Sequence, residues 1–146
     1  MPNKKVRDVE MLLDVVKKYY GAEYDLNCAE TILYAANEEY GLNLTKETFK
    51  TMAAFGGGMA VEATCGVITG AISVLGILFT KERAHESDYV KTLTQEFIEE
   101  FRKQCNAINC DNLKELYRND ETRCLSIVEK GAIILDNIVI RERNKQ

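Results

Sequence analysis

Between residues 65 and 79 the chain reads CGVITGAISVLGILF, without a charged side chain and with Gly66, Gly70 and Gly76 at near-helical spacing. A helix built from it is apolar all round and has no face to offer water. It falls short of the about 20 residues that a membrane span needs. The segment therefore predicts a helix over 65–80, capped by Thr64 and buried at the centre of a bundle, with neighbours packed close against its glycines.

The remaining pattern is helical nearly throughout. The one proline, Pro2, stands at the start and interrupts nothing after it. Val6, Val9, Leu12, Leu13, Val16, Tyr19 and Tyr20 form an apolar stripe that Gly21 can stop. Asn27 with Glu30 three residues on reads as a capping-box start, followed by Ala29, Ile32, Leu33, Ala36 and Tyr40 and ended by Gly41. Thr45 opens a short helix through Phe49, Met52 and Ala53. Ser87 caps a helix bearing Val90, Leu93, Phe97, Ile98 and Phe101. Asp111 starts a short helix, and Asp120 or Thr122 starts the last one. No strand alternation, repeat or linker interrupts this, so the expectation is an all-α, single-domain multi-helix bundle over residues 1–146. An apolar face on the terminal helix could support a homodimer.

Composition narrows the function. A net charge of −4 suits no nucleic-acid backbone. Lys4, Lys5 and Arg7 at one end and Arg141, Arg143 and Lys145 at the other read as solvated turns. The N-terminus is charged and amphipathic and lacks the apolar core of an export signal, which points to the cytoplasm. In a reducing compartment, five cysteines serve chemistry or metals more often than structural disulfides.

Four of those cysteines fall at predicted helix starts. Cys28 follows Asn27, Cys65 follows Thr64, Cys110 precedes Asp111, and Cys124 lies in the first turn of the last helix. Cys105 sits past the end of a helix. Unpaired N–H groups and the positive end of the helix dipole favour thiolate, so these four are expected to be acidic and to converge. Cys105 and Cys110 could instead close a small disulfide ring. No Cys-x-x-Cys pair marks a thioredoxin-type dithiol or zinc ribbon, and no Cys-x-x-Cys-His marks covalent haem. Gly56, Gly57 and Gly58 read as a loop that lets backbone approach Cys65. That loop lacks the Lys-Ser/Thr ending of a phosphate loop. His85 reads as a surface-loop residue. Glu38, Glu39, Glu96, Glu99 and Glu100 read as solvated faces.

Taken together, LNCAETIL, FGGGMAVEATCGVITGAISVLG, INCDNL and RCLSIVEKGAIIL resemble the redox-active family named for the pattern C, GCAxxG, C, C, over residues 8–139. The middle segment carries the resemblance most specifically, with Val67 standing where the family has alanine. The resemblance puts the family cysteines on Cys28, Cys65, Cys110 and Cys124 and leaves Cys105 as an extra. It implies a redox role, a redox partner linked to a transporter system, and no particular substrate.

Three chemistries fit that set. An iron–sulfur cluster on the four cysteines, with Gly56, Gly57, Gly58 and Gly66 beside it, would make an electron carrier or redox sensor rather than a turnover enzyme. A metal-free thiol–disulfide protein would cycle paired cysteines. A Cys₄ zinc site would be structural, although the paired knuckles of such sites are absent. An interaction module with inert core cysteines is the remaining reading.

Overall fold

The structure is a computed structural model that describes residues 12–146. The expectations on Pro2, Lys4, Lys5, Val6, Arg7 and Val9 lie outside the described residues. Within them the chain is all-α. Helix α1 covers residues 12–19, α2 Cys28–Tyr40, α3 Lys46–Lys50, α4 Gly66–Phe79, α5 Tyr89–Cys105, α6 Cys110–Tyr117 and α7 Leu125–Arg143. A tight turn at Gly58–Glu62 precedes α4, and a 3₁₀ turn at Ala84–Glu86 precedes α5.

Helix α4 is the hub, packing against α2, α5 and α7. It buries Val67, Ile68, Ala71, Val74, Leu75 and Phe79 and leaves Ile77 at the surface. Its first two helical glycines act as expected. A Cβ on Gly70 would lie 2.9 Å from the carbonyl oxygen of Ala29, and one on Gly66 would lie 3.2 Å from the backbone nitrogen of Ala29. Both let α2 and α4 approach backbone to backbone. Gly76 differs from the expectation: a Cβ there would meet nothing within 4 Å, so it serves no close contact.

Helix α5 contributes Leu93, Phe97, Phe101 and Cys105, a stripe at four-residue steps that disappears into the core. Burying a side chain the size of Phe97 is worth about 1.5–3 kcal/mol. In α7, Ile134, Leu135, Ile138 and Val139 are buried within the chain itself, and Ile133 is the large apolar residue left exposed. Tyr40 crosses from α2 to donate its hydroxyl to Asp136 Oδ1 of α7 at 2.6 Å.

Several helix starts differ from the sequence expectation by a residue or two. Helix α4 begins at Gly66 with Cys65 in the cap position, so Thr64 does not cap it. Asp88 takes the cap position of α5, while Ser87 Oγ accepts the N–H of Tyr89 at 3.3 Å. Helix α6 starts at Cys110, one residue before Asp111, and Cys105 is the last residue of α5 rather than beyond it. Met52 and Ala53 lie in turns after α3. Neither Asp120 nor Thr122 starts α7. Asn119 Oδ1 accepts the N–H groups of Glu121 and Thr122 at 3.0 and 2.8 Å, and this turn delays the helix until Cys124 takes the cap position.

Candidate functional site

Three devices bring four chain segments to one place. At the start of α2, Asn27 Oδ1 accepts the N–H of Glu30 at 2.7 Å, and Glu30 Oε1 accepts the N–H of Asn27 at 2.9 Å. The Asn27 amide then donates to the carbonyls of Met52 and Ala53 at 3.3 and 3.2 Å. The cap thereby ties Cys28 to the chain leaving α3. Gly56 fits against it, because a Cβ there would come within 2.6 Å of Asn27 Cβ.

The second device joins α4 to α6. Thr64 and Asn109 form an isolated antiparallel bridge, with the Cys65 N–H on the Ile108 carbonyl at 2.9 Å and the Cys110 N–H on the Ala63 carbonyl at 2.6 Å. Both cysteines are thus held by their own backbone. The preceding turn is left-handed at Gly57, Gly58, Met59 and Ala60, with φ between 60° and 64°, and again at Glu62. Left-handed backbone costs an ordinary L-residue roughly 1–2 kcal/mol. At Gly58 the lack of a side chain is required twice over, since a Cβ would lie 2.7 Å from Cys110 Cβ.

The third device places Cys124. The Asn119 turn closes with Asn119 and Arg123 exchanging backbone hydrogen bonds at 3.2 and 2.9 Å, and Arg123 adopts φ 54°. The Cys124 N–H donates to Tyr20 Oη at 3.1 Å. The Arg123 guanidinium lies 4.4 Å from the centre of the Tyr20 ring and donates to the Tyr20 carbonyl at 3.1 Å.

Cys28, Cys65, Cys110 and Cys124 all line one cavity of about 190 Å³. Gly57 and Gly66 are in its wall. Gly56 and Gly58 stand behind it, against Asn27 and Cys110. Lys114, Arg118, Arg123, Asn27 and Tyr20 complete the polar lining. Cys105 is apart, fully buried and absent from this wall. All five cysteines are free thiols, so the Cys105–Cys110 ring is not formed. His85 is exposed, as expected. Glu38 pairs with Lys18 and Glu96 with Arg141 at exposed sites.

The thiols are not equivalent. Cys124 is the acidic one, its pKa lowered to about 6. The first cause is a hydrogen bond from the Cys28 thiol, followed among the favourable influences by the charge of Arg118, whose Nη1 is 3.6 Å from the sulfur. Cys28 moves the opposite way, held as the protonated donor by its bond to Cys124 and by burial. Burial pushes the Cys65 thiol up to about 12, against the N–H groups of Val67 and Ile68 that favour its thiolate. Burial also raises Cys110 and Cys105. A helix start therefore does not make a thiol acidic here. Desolvation outweighs it at Cys65 and Cys110, and only Cys124 combines a thiol donor with a guanidinium.

The four sulfurs are the right donor type for an iron–sulfur cluster or zinc. Among the described residues, however, no group of three or more His, Cys, Asp and Glu is arranged to hold a metal ion. The arrangement does not fit such a group as it stands.

Sequence reasoning overlooked Lys114, Arg118 and Arg123 and placed Tyr20 only in the apolar stripe of the first helix. The usable signal was the spacing: Arg123 directly precedes Cys124, and Arg118 lies across one short turn from it.

A family model described as "Putative redox-active protein (C_GCAxxG_C_C)" matches residues 26–138, a span that contains all four cavity cysteines. No curated protein and no solved structure matches the chain. No helix among the described residues is long and apolar enough to cross a membrane.

Proposed function

The chain belongs to the C_GCAxxG_C_C family of redox-active proteins, and on that premise we propose that it is a thiol–disulfide redox carrier whose reacting pair is Cys124 and Cys28. The observation that supports this reading is geometric: Cys28 and Cys124 line the same cavity, and the Arg118 guanidinium lies 3.6 Å from Cys124 Sγ. In keeping with it, the Cys124 thiol is lowered to about 6 and that of Cys28 is raised. The thiolate is the attacking species in exchange, and a thiol with a pKa near ambient pH is the best placed to attack.

The Cys124 thiolate attacks one sulfur of a substrate disulfide. A Cys124–sulfur bond forms, the substrate S–S bond breaks, and one substrate thiolate leaves and takes a proton from solvent. Cys28 loses its proton to solvent and attacks Cys124 Sγ, forming the Cys28–Cys124 disulfide and releasing the second thiolate, which is protonated in turn. Two electrons pass from the pair to the substrate. A partner dithiol reverses the steps. Cys65 and Cys110, held neutral by burial, flank the pair.

Oxidation followed by peptide mapping tests this reading. The expected result is a loss of two hydrogens and a Cys28–Cys124 linkage. A linkage between other cysteines, or persistent free thiols at Cys28 and Cys124, would overturn it.

A second reading is an iron–sulfur cluster on Cys28, Cys65, Cys110 and Cys124. It is favoured by the convergence of four soft sulfur donors on one cavity with cationic walls and opposed by the lack, among the described residues, of three ligands arranged to hold a metal ion. Anaerobic purification with absorption spectroscopy and iron, sulfide and zinc analysis separates the two. Stoichiometric iron and acid-labile sulfide would displace the thiol–disulfide reading, and stoichiometric zinc alone would favour a structural site.

A further inference from the structure

The walls of the cysteine cavity carry a charge pattern opposite to that of the whole chain. The protein has a net charge of −4. Yet among the described residues the lining contains Lys114, Arg118 and Arg123 and no aspartate or glutamate. Each cation is held in place. Arg118 donates to Cys124 Sγ at 3.6 Å, Arg123 is fixed on the Tyr20 ring and carbonyl, and Lys114 pairs at 3.3 Å with Glu62, which stands outside the lining. Asn27 and Tyr20 are the neutral polar members of the wall, and Leu26, Leu113 and Ile127 are apolar.

The volume limits what enters. About 190 Å³ is below the roughly 300–1,000 Å³ of sites that take drug-sized ligands. A small molecule, or one half of one, fits.

We propose that the substrate disulfide is a small anionic one, held by its carboxylates on Lys114, Arg118 and Arg123 while its sulfur meets Cys124. This rests on the thiol–disulfide reading and names its substrate class. A cavity lined by charge of one sign raises the local concentration of the opposite charge and speeds association, an effect of about 10-fold or more at low salt. Guanidinium groups grip a carboxylate with two parallel hydrogen bonds, which also orients it. The exchange balances as written above: the substrate disulfide accepts two electrons and leaves as two carboxylate-bearing thiols, and the protein keeps the Cys28–Cys124 disulfide.

The test uses the full-length reduced protein and three probes of one size class: dianionic dithiodiglycolate, neutral bis(2-hydroxyethyl) disulfide and cationic cystamine. Thiol release is followed in low salt at neutral pH. Each rate is divided by that of free N-acetylcysteine amide with the same probe, which removes differences in intrinsic reactivity. The expected order is anionic, then neutral, then cationic, with the anionic probe about 10-fold ahead of the neutral one and the gap shrinking in high salt. In the double variant Lys114→Gln/Arg123→Gln the anionic-to-neutral ratio falls toward one. The ratio cancels any general effect of the changes on Cys124 or on folding. Equal or reversed ratios in the parent protein, or a preference unchanged in the double variant, would overturn the substrate assignment alone. No reaction with any of the three probes would overturn the thiol–disulfide reading and the assignment with it.

Discussion

Arg118 directs Nη1 at Cys124 from 3.6 Å, across the turn that separates α6 from α7. The contact joins the C-terminal cap position of one helix to the N-terminal cap position of the next. It gives one of the four cavity sulfurs a cationic partner of its own. Because the favoured charge form of Cys124 is the thiolate, alkylation at this cysteine is expected to rise with pH around a midpoint near 6. Arg118→Gln removes one stabilising influence on the thiolate and moves that midpoint up by about one pH unit, so the rate at pH 6 drops several-fold. Arg118→Lys retains part of the effect. Site-resolved iodoacetamide labelling followed by mass spectrometry measures both. An unmoved midpoint in Arg118→Gln would show that the guanidinium does not act on the sulfur.

On the proposed thiol–disulfide reading, Cys28 has two separable roles, hydrogen-bond donor and resolving thiol. Cys28→Ser keeps a donor beside Cys124, so the acidity of Cys124 stays low while the intramolecular disulfide is lost. Cys28→Ala removes both, and the alkylation midpoint of Cys124 rises toward the ordinary thiol value. In either variant, exposure to a small disulfide should leave a stable mixed disulfide on Cys124, visible in intact mass. If Cys28→Ala left the midpoint in place, the donor role would be wrong even with the resolving role intact.

Val67 and Gly131 form a size-matched pair between α4 and α7. A Cβ on Gly131 would lie 2.1 Å from Val67 Cγ1. Val67 stands where the resembling family has alanine, and the missing side chain at 131 makes room for it. Gly131→Ala is therefore expected to cost about 1–3 kcal/mol by overpacking, despite the helix propensity it gains. In the Val67→Ala background the same change becomes neutral or stabilising. A double-mutant cycle by urea unfolding reads the coupling; additive effects would disprove the pairing.

Asn27 works as a cap and as a clamp on the residues after α3. Asn27→Ala loses the hydrogen bond from Glu30 N–H and both amide donors to the Met52 and Ala53 carbonyls. A cost of about 1–2 kcal/mol follows from the cap alone. Because Cys28 is the next residue, oxidative linking of Cys28 to Cys124 should also slow relative to the parent. Chemical denaturation and timed oxidation test the two effects separately.

Fold class and helix order were legible because they rest on local signals. The uncharged 65–79 run required a central helix whatever its neighbours were, and the Asn27–Glu30 and Gly41 caps act within a few residues of themselves. The starts of α4, α6 and α7 differ from the cap pattern for two reasons, one local and one long-range. Asn119 spends its side chain on the turn before α7, and the Thr64–Asn109 bridge uses long-range backbone pairing to set where α4 and α6 begin.

By itself the sequence determined an all-α bundle around the 65–79 segment and marked Cys28, Cys65, Cys110 and Cys124 as the set carried by its family motif. Only the tertiary structure decided that these four share a cavity, that Cys105 does not, and that their acidities diverge. Helix starts and glycine spacings are properties of short segments and can be read from order alone. A thiol's acidity is a balance of burial against the groups around it, and Arg118 and Cys28 reach Cys124 through folding. At the same helix-start position, burial leaves Cys65 neutral, while Cys28 and Arg118 make Cys124 the acidic sulfur.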